Sequence, residues 1–170
     1  MLTGNDIDAW LAEWAVVWGA RDLAERVRVE PGRRLRSSLG RCQPALGLVR
    51  IHPALFEAEN AELFREVVCH EAAHVAAYLI HGRGIRPHGR EWKGLVVAAG
   101  YPARARMDPR RLSGGVQEAL RPKKLYRHRC LDCGAVRMAR RRCSSWRCRG
   151  CWDAGLPGEL EVVSVQVPRT

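Results

Sequence analysis

The sequence predicts an α+β protein in two parts: a helix-and-sheet domain over residues 1–103 and a β-rich cysteine module over residues 123–170, joined by a basic linker over residues 104–122. Three observations carry this reading. Apolar residues recur at helical spacing in three segments, short apolar runs broken by Gly and Pro lie beside them, and two C-x-x-C pairs fall close together near the C-terminal end. A chain of 170 residues holds one compact domain and a small metal-stapled module, but not two large hydrophobic cores.

Ile7, Trp10, Leu11, Trp14, Val17 and Trp18 define the first amphipathic helix, with Asn5 as its cap and the three tryptophans turned into the core. Val27 and Val29 make a short strand that ends at Pro31-Gly32. Arg33 to Cys42 and Gly47 to His52 read as two further strands around a Gln43-Pro44 break, together an antiparallel sheet. Asn60 caps a long helix running to about His81, whose apolar face includes Leu63, Phe64, Val67, Val68 and Val75, and Gly82 stops it. After a turning loop with Gly84, Pro87 and Gly89, Trp92, Leu95, Val96 and Ala99 mark a third helix. Residues 104–122 are basic and aperiodic, with one helical turn around Val116 to Leu120. Leu125 to Arg129, Ala135 to Arg140 and the alternating Leu160, Val162, Val165 and Val167 then read as strands.

His70-Glu71-Ala72-Ala73-His74 falls inside the long helix. Residues four apart share a helix face, so two imidazoles can hold one ion, and Glu71 is angled toward a water in the open position rather than toward the metal. A catalytic site needs a third ligand. His81 is excluded, because seven residues of continuous helix put it about 10.5 Å from His74 along the axis. His88 and Glu91 remain, and His88 is preferred because the glycine-rich loop delivers it. Cys130-Leu131-Asp132-Cys133 and Cys148-Arg149-Gly150-Cys151 are two knuckles separated by 14 residues. Four thiolates in that pattern form a closed structural zinc site, which replaces a hydrophobic core that so few residues cannot build. Cys143 and His128 lie nearby but belong to neither pair.

The helix motif, followed by His88-Gly89-Arg90-Glu91-Trp92-Lys93, resembles the SprT/Spartan family of zincin metalloproteases, which carry a zinc ribbon behind the protease domain. The resemblance covers about Leu35 to Cys151. It implies a zincin-like metalloprotease fold with His70, His74 and His88 holding a catalytic zinc and Glu71 as the base that activates the attacking water. It also implies a ribbon with a structural zinc on Cys130, Cys133, Cys148 and Cys151, and proteolysis of proteins bound or crosslinked to DNA. Trp92 stands where the family often has Phe, packing the third helix under the metal. Zincins bind extended peptides by strand addition, so the strand Arg33 to Cys42 is expected to present its edge to substrate.

The formal charge is +11, and ten of those charges fall after Ala103, where 16 basic side chains face 6 acidic ones. Such a field attracts polyanions, and nucleic acid is the leading partner. Around the knuckles, Arg140, Arg141, Arg142 and Arg147 alternate with Trp146 and Trp152, the combination of phosphate-binding cations and stacking faces that single-stranded DNA uses. No side chain there announces base-edge readout. The acidic N-terminal segment and the absence of a long apolar run predict a cytoplasmic protein with no membrane partner. In that reducing compartment seven cysteines favour metal over disulfides. Two alternatives stand beside the DNA-associated metallopeptidase. One is a ribbon adaptor for nucleic acid whose helix site holds zinc without turnover, and the other is a metalloprotease acting on soluble regulatory proteins. Glu71 separates enzyme from adaptor, since a structural site needs no carboxylate there.

Overall fold

A computed structural model describes residues 4–168, so the outer ends of the two expected domains, residues 1–3 and 169–170, lie outside the described residues. The chain divides into two compact units with the boundary between Leu120 and Arg121.

The first unit is built around a long central helix. Helix α1 (Gly4–Trp18) places Leu11, Trp14 and Trp18 in the core, with the Trp14 and Trp18 rings stacked at 5.7 Å. The Trp18 indole N–H also donates to the carbonyl of Leu95 at 2.7 Å, which ties α1 to the third predicted helix. A short helix α2 (Leu23–Arg26) leads into a three-stranded sheet of β1 (Arg28–Pro31), β2 (Gly40–Gln43) and β3 (Leu48–Ile51). The strand order is β1-β3-β2, with β3 parallel to β1 and antiparallel to β2.

Two expectations are corrected here. The sheet is mixed, because a tight turn at Pro44–Leu46 with Gly47 left-handed folds β3 back on β2 and delivers its other edge to β1. The strand expected from Arg33 to Cys42 shrinks to Gly40–Gln43. The chain turns at Gly32–Leu35, where the Gly32 N–H donates to Ile51 O and the Leu35 N–H to Gly32 O, and strand pairing resumes only at Gly40.

Helix α3 (Ala61–His81) buries Phe64, Val67, Val68, Val75 and its alanines against α1, the sheet and α4 (Arg90–Ala98), from which Trp92 and Val96 enter the core. Gly82 ends α3 at φ 77 with its N–H on Tyr78 O. Asn60 precedes α3 but does not cap it; its buried amide donates to Ala54 O at 3.0 Å and pins the preceding turn.

Residues 104–120, expected as linker, belong to the first unit. Helix α5 (Gly114–Ala119), capped by Ser113, inserts a fully buried Val116, and Met107, Leu112 and Leu120 pack around the same core. One buried valine amid arginines leaves no periodic trace, which is why composition alone reads as a linker.

The second unit is a sheet of β4 (Lys124–Cys130), β5 (Val136–Ala139) and β6 (Leu160–Gln166), all antiparallel with β4 central, plus the short helix α6 (Arg149–Asp153). Its buried side chains are His128, Cys130 and Cys151 rather than a cluster of aliphatics. No helix among the described residues is long and apolar enough to cross a membrane.

Candidate metal centre

Helix α3 presents His70 and His74 on one face, and the loop before α4 brings His88 back to them. Nε2 of His88 lies 3.1 Å from Nε2 of His70 and 3.1 Å from Nε2 of His74. Three imidazole nitrogens on a tetrahedral zinc at ~2.0–2.1 Å stand about 3.3 Å apart, so the donor set fits that ion. His88 sits at φ 57, a left-handed conformation that turns its ring back toward α3. Glu91 stays outside the group, 4.0 Å from Arg90.

All three rings are held neutral, the form that ligates. Burial, then the charge of His88, pushes His70 down to about 4; burial, then His70 and His88, pushes His74 to about 3; burial also lowers His88. Trp92 packs beneath them, its ring stacked on His74 at 5.3 Å and edge-on to His70 and His88 at 4.7 Å each. Its indole N–H donates to the carbonyl of His70 at 3.1 Å. One turn before His70, the buried Glu66 is clamped by both guanidinium nitrogens of Arg111, at 2.9 and 2.7 Å.

Glu71 lies at β2. Burial raises its pKa to about 7, opposed by the Cys42 thiol and amide, which donate to the carboxylate, and by the charge of Arg41. Gly40 makes this approach possible, because a Cβ there would stand 2.7 Å from Glu71 Oε1. Burial, and after it the Glu71 carboxylate, push the Cys42 thiol well above its usual range. Sequence reading missed Gly40, Cys42, Glu66 and Arg111, since nothing in their local pattern marks a contact made only on folding.

The second group is Cys130, Cys133, Cys148 and Cys151, with Cys143 and His128 outside it. The Cys130–Cys151 and Cys133–Cys148 sulfur pairs are both 3.7 Å apart, close to the spacing of about 3.8 Å for thiolates on a tetrahedral zinc at ~2.3 Å. The backbone N–H of Cys133, and after it that of Asp132, favour the Cys130 thiolate and draw its pKa down to about 7. Asp132 accepts from the Gly158 N–H at 2.8 Å, which joins the first knuckle to the chain entering β6.

Of the residues expected to meet nucleic acid, Trp146 and Arg147 share a cleft of about 370 Å³ with His128 and Arg149. The Arg137 guanidinium lies 4.9 Å over the Trp146 ring, and His128 packs 5.1 Å from it. Arg140, Arg141, Arg142 and Trp152 are exposed and do not line that cleft.

A helix bearing H-E-x-x-H with a third histidine from the following loop, on an α+β frame followed in the chain by a four-cysteine ribbon, defines a protein with two groups compatible with zinc. The profile described as SprT-like family matches residues 11–110, more than half of the chain, and the chain belongs to that family. It is similar to Protein SprT-like of Streptococcus suis, 32% identical over 121 residues that cover 70% of this chain and 76% of that protein. It is also similar to Protein SprT of Vibrio parahaemolyticus, 39% identical over 57 residues, and of Pseudomonas syringae pv. tomato, 47% identical over 55 residues. Those two matches span 34% and 32% of the relatives' own lengths. No solved structure matches the chain.

Proposed function

We propose that this chain is a zinc-dependent endopeptidase that works on DNA-bound or DNA-crosslinked proteins, with one catalytic zinc on His70, His74 and His88 and one structural zinc on the four ribbon cysteines. The observation that carries the reading is the convergence of three neutral imidazoles beside a buried carboxylate that none of them engages. A bound zinc supplies Lewis acidity, polarising the scissile carbonyl and making water easier to deprotonate.

The protein's own side chains do the rest. Glu71, poised near neutrality, takes the proton of the attacking water on its carboxylate and returns it to the departing amine. Cys42 holds that carboxylate at the strand, and Trp92 keeps the two helix histidines from rotating. Outer strand β2 offers its free edge to an extended substrate.

The DNA half of the reading rests on charge and stacking in the ribbon. Exposed Trp152 gives a flat face for a base, Arg140, Arg141, Arg142 and Arg147 give phosphate contacts for a single strand, and Trp146, covered in part by Arg137 and His128, would have to exchange one of them for a base. Thiols clustered for a metal belong in a reducing compartment, so we place the protein in the cytoplasm.

The test is incubation of the zinc-loaded chain and its Glu71→Gln variant with a DNA-binding protein, with and without single-stranded DNA. Glu71→Gln is expected to keep its metal and fold and to lose turnover, and DNA is expected to accelerate the wild type. Proteolysis by the variant at a rate close to wild type removes Glu71 from the mechanism, and DNA-independent cleavage removes the DNA step.

A further inference from the structure

The face of the first unit's sheet turned away from α3 carries charge that the metal centre does not use. Arg41 of β2 and Arg50 of β3 stand directly opposite each other, and Glu30 of β1 stands opposite Arg50 on the other side. Glu30 is committed to Arg50 by an ion pair of 2.8 Å. Arg33 and Arg34, from the turn after β1, complete a cleft of about 440 Å³ whose remaining lining is Pro31, Gly32 and Leu35. Among the described residues, Arg33, Arg34 and Arg41 make no ion pair. Four cations thus share one carboxylate, and like charges opposite each other on a sheet are unfavourable unless something anionic joins them. The cleft is also shaped by close packing, since a Cβ on Gly32 would meet Leu35 Cδ1 at 2.6 Å and Arg50 Cβ at 3.2 Å.

Its place in the fold says what the anion is. Arg41 lies between Gly40 and Cys42, the two residues whose opposite face holds Glu71. Side chains along a strand alternate between faces, and β2 is an outer strand of its sheet. A chain added along β2 therefore sends every second side chain toward Glu71 and the intervening ones over Arg41 and the cleft. We propose that this arginine-lined cleft is a substrate subsite for acidic side chains, so that the enzyme selects extended protein segments carrying Asp or Glu at alternate positions beside the scissile bond. The proposal rests on the peptidase reading and adds a substrate class to it. A peptide is favoured over a phosphate backbone because Arg41 sits in register on the strand a peptide would pair with, and a nucleic-acid strand has no such register.

The test uses the zinc-loaded full chain and two fluorogenic peptides of equal length, identical except that every second residue is Glu in one and Lys in the other. Wild type is expected to favour the Glu peptide in kcat/KM by about fivefold or more, the sum of a few cross-strand charge pairs. Arg41→Glu should abolish or invert that ratio, Arg41→Lys should keep most of it, and Arg33→Glu, off the strand, should reduce it. The same peptides, labelled, are titrated into zinc-loaded Glu71→Gln protein and followed by anisotropy, which reads the preference without turnover. If neither peptide is cleaved but Glu71→Gln still favours the Glu peptide in an Arg41-dependent way, the subsite stands and the peptidase reading falls. Equal binding of the two peptides, no binding of either, or a ranking unmoved by Arg41→Glu overturns the subsite. Loss of oligo-dT binding in Arg41→Glu with the peptide ranking intact also overturns it, and assigns the cleft to nucleic acid.

Discussion

The two groups of metal-competent side chains are supported in opposite ways. His70 and His74 project from a 21-residue helix that is buried for reasons of its own, against Trp14, Trp92 and the sheet. The ribbon cysteines come from the end of β4, a turn, and the cap and body of a five-residue helix, and two of the four are themselves among the few buried side chains of their unit. The first site is an addition to a core, whereas the second takes the place of one. The lesson is that donor geometry alone does not tell what a metal is for; what surrounds the donors does.

Removing metal is the largest test of that contrast. Chelation should unfold the second unit, because structural zinc in such modules is worth roughly 10–16 kcal/mol of apparent folding free energy. The first unit should stay folded. Hydrogen exchange followed on both units reads this directly, and retained protection of β4 and β6 in chelator would show that the second unit folds without its metal. Metal content sharpens it further: His88→Ala should leave one zinc of two, and Glu91→Ala should leave both. The opposite pattern would transfer the third ligand to Glu91.

Next in size is the support beneath the histidines. Trp92→Ala should cost about 3–5 kcal/mol in urea unfolding of the first unit, from lost burial and the cavity it leaves. Trp92→Phe keeps most of the packing and loses the bond to the His70 carbonyl, at about 1 kcal/mol. No measurable cost for Trp92→Phe would show that the indole N–H contributes nothing.

A smaller effect is expected from pH in the metal-free chain. His70 and His74 are held down to about 4 and about 3, mainly by burial. Unfolded imidazoles take up protons near pH 6.5 while the folded ones stay neutral, so this contribution to stability is intact above that pH. It is lost as pH falls from about 6.5 toward 4. Protection of α3 amides, corrected for intrinsic exchange, should therefore decline between pH 7 and pH 5, and less so in His70→Asn. A decline unchanged by that substitution would place the titrating group elsewhere.

What the sequence made legible follows the same division. Spacing along one element is written in the chain, so the pairing of His70 with His74 and the two cysteine knuckles could be read from it. The return of His88 was readable because glycines mark the loop that turns it. The path of β3 between β1 and β2 was not, since a parallel pairing depends on where a distant edge lies rather than on alternation. Val116 was hidden by the arginines around it. The approach of Cys42 and Gly40 to Glu71 joins residues about thirty positions apart in the chain and leaves no local signature.

That last contact ties positions 40 and 71 together as a pair matched in size. Any side chain at 40 competes with the Glu71 carboxylate for the same space, since even a methyl group would stand 2.7 Å from Oε1. A lineage that acquired Gly40→Ala would keep its three histidines, and would displace the Glu71 side chain together with the Val67 methyl that a Cβ would meet at 2.9 Å. On the proposed mechanism, hydrolase and non-hydrolytic metal binder would then be separated by one codon at a residue outside the three histidines, and a homologue with an intact H-E-x-x-H helix should be read for its residue at this position before being counted as an enzyme.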